Sequence, residues 1–240
     1  MKSIDMGPMT ILLVDDEPFQ RHVLREVLKR VGFQHVTEAD SGQTALLKMA
    51  EESFDVVLSD VQMPGMNGLE LLRQIRMGQT PRPRDTRFVI LTSFSNTEVL
   101  GVAMALDVNG FLAKPIRIDV VIEKLERAVA EKLQLRAQAH YESVVTNLSS
   151  LAMAPRKADT VLETRISAAD IIDRGTGHKR LSLTQVRDGM SVATDVVAKD
   201  DTVLVRAGTV LTEVIINRLR DLANVLAHDF VDIFSGQNEN

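Results

Sequence analysis

Cysteine is absent from all 240 residues, which excludes disulfides, thiolate zinc sites and cysteine nucleophiles. That absence fits a reducing compartment. Long apolar runs are missing too: no stretch reaches the roughly 20 residues that span a bilayer. Met1 to Thr10 lacks the apolar core of a secretory signal. The expectation is a soluble cytoplasmic protein with no membrane attachment. A basic excess is also lacking. The formal net charge is −5. From Arg156 onward 11 Lys/Arg face 13 Asp/Glu, a net of −2 that leaves −3 for the residues before it. Neither part has the positive surplus of a non-specific nucleic-acid binder. The five histidines are scattered without zinc spacing, and no glycine-rich nucleotide loop is present.

What is present is a regular alternation. Ile11 to Val14 is an apolar run broken by Asp15, Asp16, Glu17 and Pro18, with proline placed where a helix start tolerates it. Val23, Leu24, Val27, Leu28 and Val31 then recur at helical spacing, and Gly32 supplies a stop. Val36 marks a second strand, and Ser41-Gly42 opens a helix through Ala45, Leu46 and Met49. Phe54 to Ser59, Phe88 to Thr92 and Gly110 to Ala113 read as three further strands, with helical spacing after each. The loop Gly78 to Arg87 is long for a connection of this type. Five strand–helix alternations predict an α/β domain with a parallel sheet covered on both faces.

In a parallel sheet the C-terminal strand ends open on one edge, where ligands bind. Asp15 and Asp16 follow the first strand, Asp60 the third, Thr92 the fourth and Lys114 the fifth. Three neighbouring carboxylates repel one another and call for a hard cation; magnesium keeps waters and leaves room for phosphate oxygens. A hydroxyl and an ammonium opposite them would hold the rest of a phosphoryl group. Taken singly, each residue has a plainer reading. Asp15 and Asp16 could cap a helix, Asp60 could end a turn, and Lys114 could be a solvated loop lysine. Thr92 and Phe111 are residue types common in turns and cores.

Val14-Asp15-Asp16, the Asp60 segment with Met63-Pro64 and Asn67-Gly68, Leu91-Thr92-Ser93, and Gly110 to Pro115 together resemble the receiver domain of two-component response regulators, over about residues 9 to 130. The resemblance implies a flavodoxin-like (βα)5 fold with Asp60 as the phosphoacceptor. It implies magnesium on Asp16 and Asp60, Asp15 acting through water, and the Gln62 carbonyl as a further ligand. It implies that Lys114 pairs with the phosphoryl group, that Thr92 hydrogen-bonds it, and that Phe111 is the aromatic switch. The expected donor is a sensor histidine kinase or phosphotransfer protein, and the expected product is a switch, not an enzyme.

Arg117 to Ala154 contains no glycine or proline, so the last receiver helix is expected to continue from Lys132 to Ser150 as an extended helical linker. Arg136, Gln138 and His140 interrupt its heptad seam. A projecting helix of this kind could dimerise, or pack on the next domain. Pro155 to Lys157 looks like a boundary, Val161 to Ile172 has mixed helical spacing, and Asp173 to Lys179 reads as a loop.

The last part is expected to be a small α+β domain. Val196 to Ala198 and Val203 to Val205 read as a hairpin, Thr212 as the N-cap of a helix through Ile215 and Leu219, and Phe230 to Phe234 as a strand. Leu183, Val186, Gly189-Met190, Asp195-Val196, Gly208 to Thr212 and Leu219 resemble the small domain that precedes HD-GYP cyclic-di-GMP phosphodiesterases. His228-Asp229 is an isolated pair, so no phosphodiesterase activity is expected. The chain thus divides into a receiver (1–130), a connector (131–180) and an output domain (181–240) acting through protein contacts with an unidentified downstream partner. The alternatives are a DNA-binding regulator, with Thr212 to Leu222 as recognition helix, and a regulator of a separate cyclic-di-GMP enzyme.

Overall fold

The computed structural model describes residues 7–93, 96–149 and 177–234. Strand and helix alternate from the start: β1 (Thr10–Val14), α1 (Pro18–Arg30), β2 (His35–Ala39), α2 (Gly42–Glu51), β3 (Val56–Asp60), α3 (Gly68–Arg76), β4 (Arg87–Thr92), α4 (Thr97–Ala105), β5 (Gly110–Ala113) and α5 (Ile118–Ala130). The strands form one parallel sheet in the order β2-β1-β3-β4-β5, the expected flavodoxin-like arrangement.

Local chemistry explains the helix starts. Pro18 occupies the first turn of α1, where a missing N–H costs nothing. Ser41 accepts from Thr44 N, and Asn67 closes a capping box with Glu70. Ile11, Leu13, Val56, Leu58, Val89 and Leu91 point to one buried layer and Leu12, Val14, Val57, Phe88 and Ile90 to the other. Burial on both faces is why these strands read as unbroken apolar runs.

The long loop between α3 and β4 is held from within. Arg76 is fully buried and donates to the carbonyls of Arg84, Thr86, Leu106 and Asp107 and to Asn109 Oδ1, at 2.6 to 3.3 Å. Burial lowers its pKa to about 10, and the five acceptors keep the guanidinium satisfied.

The extended linker is a correction. α5 stops at Ala130, and Glu131 is already extended at φ −69, ψ 135. The chain then turns back onto the receiver through the five-residue helix α6 (Gln138–Glu142). The residues that interrupt the heptad seam are those that hold this strap down. Arg136 pairs with Asp107 at 3.4 Å, Gln138 donates to Met77 O at 2.7 Å, and His140 Nε2 lies 2.9 Å from Ala105 O. Tyr141 is buried, with its hydroxyl 2.7 Å from Asp107. Packing overrides helix propensity here. Pro155 to Lys157, the spacing from Val161 to Ile172 and the end of the supposed linker at Ser150 lie outside the described residues.

The C-terminal unit contains β6 (His178–Ser182), β7 (Val196–Val197), β8 (Val203–Val205), α7 (Glu213–Asp221) and β9 (Phe230–Phe234). β6 pairs antiparallel with β9, and β7 with β8. The hairpin, the helix and the last strand stand where expected, and Thr212 Oγ1 accepts from Ile215 N. His178 and Lys179, expected in a loop, belong to β6. Their polar side chains hide a strand whose reason is its distant partner, Leu181 opposite Val231. A register shift at Val196/Val197 and a positive φ of 66 at Asp201 accommodate the poor Asp-Asp turn.

This unit packs on the receiver face made by α4, β5 and α5. Leu204, Ile215, Ile216 and Leu219 share one buried cluster with Leu100, Met104 and Phe111. Asp221, with a side chain only 2% exposed, receives Lys124 and Arg127 of α5, the latter at 2.6 Å. The Thr97 hydroxyl bonds Asp200 and lies 3.1 Å from the Thr202 hydroxyl.

Candidate functional site

Parallel topology brings the ends of β1, β3, β4 and β5 to one edge, and four of the expected side chains, Asp15, Asp16, Asp60 and Lys114, meet there. Asp15, Asp16 and Asp60 each offer a carboxylate oxygen within 4.8 Å of the others. Asp15 is buried, while Asp16 and Asp60 reach partway to solvent. Lys114 Nζ spans the cluster, 3.1 Å from Asp15 Oδ2 and 3.0 Å from Asp60 Oδ2. Its third contact is Gln20 Oε1 at 2.9 Å.

Two of the three carboxylates are oriented by backbone. Asp15 Oδ1 accepts from Glu17 N at 2.9 Å, and Asp60 Oδ1 from Val61 N at 2.8 Å. Arg21 Nη1 donates to Asp15 O at 2.6 Å and its Nε lies 3.0 Å from Glu38 Oε2, tying α1 and β2 to this edge. Burial raises the Asp60 pKa, and the neighbouring Asp15 adds to the rise. Lys114 opposes both, by hydrogen bond and by charge. A half-buried carboxylate crowded by its own kind, with a single ammonium to offset it, is suited to a cation or to a reaction that consumes its charge.

Thr92 ends β4 opposite Ala113, and its carbonyl accepts from Lys114 N at 2.8 Å. Phe111 is 1% exposed, inside the sheet layer that meets α4 and the C-terminal unit. Gln62 is exposed, two residues past Asp60. The turn that carries it closes tightly. Gly68 N donates to Val61 O at 3.0 Å, and a Cβ at Gly68 would fall 2.2 Å from the Asp60 carbonyl oxygen. Only glycine allows that approach.

Reading along the chain missed Gln20 and the amide of Asn67. Gln20 sits on the first turn of α1, four residues past Asp16, and its placement beside the strand edge is the one signal that could have marked it. The Asn67 amide donates to Thr146 O at 2.9 Å, a contact with no local signal. His228-Asp229 assembles nothing comparable: the His228 ring stacks on Phe230 at 4.8 Å. Among the described residues, no other group of three acidic, histidine or cysteine side chains could hold a metal ion.

The donor set fits a hard divalent cation: three carboxylates, all oxygen, arranged on a half-open edge. No helix among the described residues is long and apolar enough to cross a membrane.

Comparison with known proteins identifies the family of the first half of the chain. Residues 11–126 match the response regulator receiver domain family. The chemotaxis protein CheY of Pseudomonas aeruginosa is 34% identical over 119 residues, 50% of this chain and 94% of that protein. The chemotaxis protein CheY-3 of Vibrio cholerae is 34% identical over 127 residues, 53% of this chain and 96% of that one. A solved structure of Vibrio cholerae CheY4 is 31% identical, covers 50% of this chain and 98% of its own, and has a TM-score of 0.46. With its five-stranded parallel sheet and its acidic edge, the chain belongs to the response regulator receiver family of two-component signalling.

Proposed function

We propose that the protein is a phosphorylation switch in which Asp60 takes a phosphoryl group from a sensor histidine kinase or phosphotransfer protein. The observation that carries this reading is the Lys114 bridge between Asp15 and Asp60 at the sheet edge. An Asp60 carboxylate oxygen attacks phosphorus in line as the bond from phosphorus to the donor imidazole breaks. The Lys114 ammonium, already aimed at Asp60, neutralises charge on the transferred oxygens. The Thr92 hydroxyl hydrogen-bonds the phosphoryl group once formed, and buried Phe111 follows as the aromatic switch.

Asp16 and Asp60 would hold magnesium directly, Asp15 through water, and Gln62 through its carbonyl. When bound, the cation supplies positive charge to the phosphoryl oxygens and relieves the repulsion among the carboxylates.

The remainder of the chain, beyond the receiver of residues 1–130, serves as connector and as a non-catalytic output unit working through protein contacts, self-association included, in the cytoplasm. Arg218 disfavours the DNA-binding alternative, since it is 1% exposed and carried on the would-be recognition helix. A buried arginine cannot reach a phosphate backbone.

Intact mass after incubation with acetyl phosphate and magnesium tests the reading. One phosphoryl group should appear on wild type and none on Asp60→Asn. Undiminished phosphorylation of Asp60→Asn would overturn it.

A further inference from the structure

Asn67 carries two separate duties. Its Oδ1 caps α3, accepting from Leu69 N and Glu70 N at 2.9 Å each. Aspartate would serve that cap equally well, so the amide nitrogen is superfluous to it. That nitrogen donates instead to the carbonyl oxygen of Thr146, across 79 residues of sequence. Both ends are buried, Asn67 at 5% exposure and Thr146 at 4%. A donor buried this deeply has no solvent to replace a lost acceptor.

Thr146 lies in the strap formed by residues 136–149. The strap is also held by Arg73, which donates to the carbonyls of Tyr141 at 3.1 Å and Glu142 at 3.2 Å. Asn67, for its part, closes the turn that begins at Asp60. The tight approach of Gly68 to the Asp60 carbonyl leaves that turn no slack. Movement of the turn therefore displaces Asn67, and with it the acceptor on the strap.

We infer that Asn67 is a positioning residue that latches the strap to the turn beside Asp60, so that occupancy of the acidic site and docking of the strap are coupled. The coupling rests on the reading of Asp60 as phosphoacceptor; the latch itself does not. Such coupling is reciprocal: a filled site loosens the strap, and a loosened strap frees the turn to close around the phosphoryl group.

The chain contains one tyrosine and no tryptophan, so intrinsic emission reports on Tyr141 in the strap alone. Acrylamide quenching of the full chain is compared for wild type, Asn67→Asp and Arg73→Gln, with and without magnesium and beryllofluoride. Bound beryllofluoride is followed separately by fluorine NMR. Asn67→Asp keeps the cap oxygen and removes the donor. Without ligand it should quench more readily than wild type, and its beryllofluoride midpoint should tighten by about fivefold or more. Arg73→Gln undocks the strap from its other end and should shift the midpoint in the same direction. Beryllofluoride should raise quenching in wild type.

Tyr141 as shielded in Asn67→Asp as in wild type would overturn the latch. A midpoint shift in Asn67→Asp without one in Arg73→Gln would overturn the coupling, since the effect would then belong to the turn alone. Absence of a bound fluorine signal on wild type would overturn the coupling together with the phosphoacceptor reading. A bound signal with unchanged quenching would overturn the coupling while leaving that reading intact.

Discussion

The carbonyl oxygen of Val203 stands over Gly101, 2.9 Å from where a Cβ on that residue would lie. The contact joins β8 of the C-terminal unit to the middle of α4, and no side chain fits between them. Gly101→Val should therefore separate the unit from the receiver at a cost of about 1–3 kcal/mol, while the acidic edge stays assembled. Two unfolding transitions in urea, with the receiver transition unchanged, are the expected outcome. A single transition at the wild-type midpoint would contradict the contact.

Tyr141 provides a pH-dependent test of the strap. Burial, with the hydrogen bond to Asp107, pushes its phenol from 10.0 up to about 12. The folded state therefore favours the protonated form. The stability this contributes is complete below pH 10 and is lost as pH rises through about 12. Absorbance titration of the single tyrosine should show ionisation well above 10. Tyr141→Phe should lose less stability than wild type between these two values.

Lys114 is the cation of the acidic edge that touches both Asp15 and Asp60. Lys114→Gln keeps length and polarity but removes the charge. The rate of phosphoryl transfer from acetyl phosphate to Asp60 should fall about 100-fold, with Asp60 still the residue modified. Transfer at the wild-type rate would remove Lys114 from the mechanism.

Asp221 takes two cations, Lys124 and Arg127, in a nearly solvent-free contact. Asp221→Ala leaves those two charges facing each other without a counter-ion. A loss of about 3 kcal/mol is expected, confined to the docking of the C-terminal unit and read as earlier unfolding of α7 by hydrogen exchange. Uniform protection across α7 would contradict it.

The acidic edge was legible because parallel topology turns strand order into geometry. Asp15, Asp60, Thr92 and Lys114 need only the ends of apolar runs to be located. The caps at Ser41 and Thr212 were legible too, since each acts within one helical turn. The strap was not legible. Arg136, Gln138 and His140 looked like faults in a heptad because their acceptors, Asp107, Met77 O and Ala105 O, lie 29 to 61 residues away. β6 escaped likewise, since its order comes from β9, some fifty residues downstream.

The C-terminal unit on the α4–β5–α5 face is tethered to what it covers. A tethered occupant meets its site as an intramolecular partner, at an effective concentration that the length of the connection sets. A free molecule offering the same contacts would have to approach that concentration to displace it. The face thus discriminates by supply as well as by shape: scarce visitors with ordinary affinity are turned away, and access passes to whatever lowers the hold of Asp221 and Gly101 first.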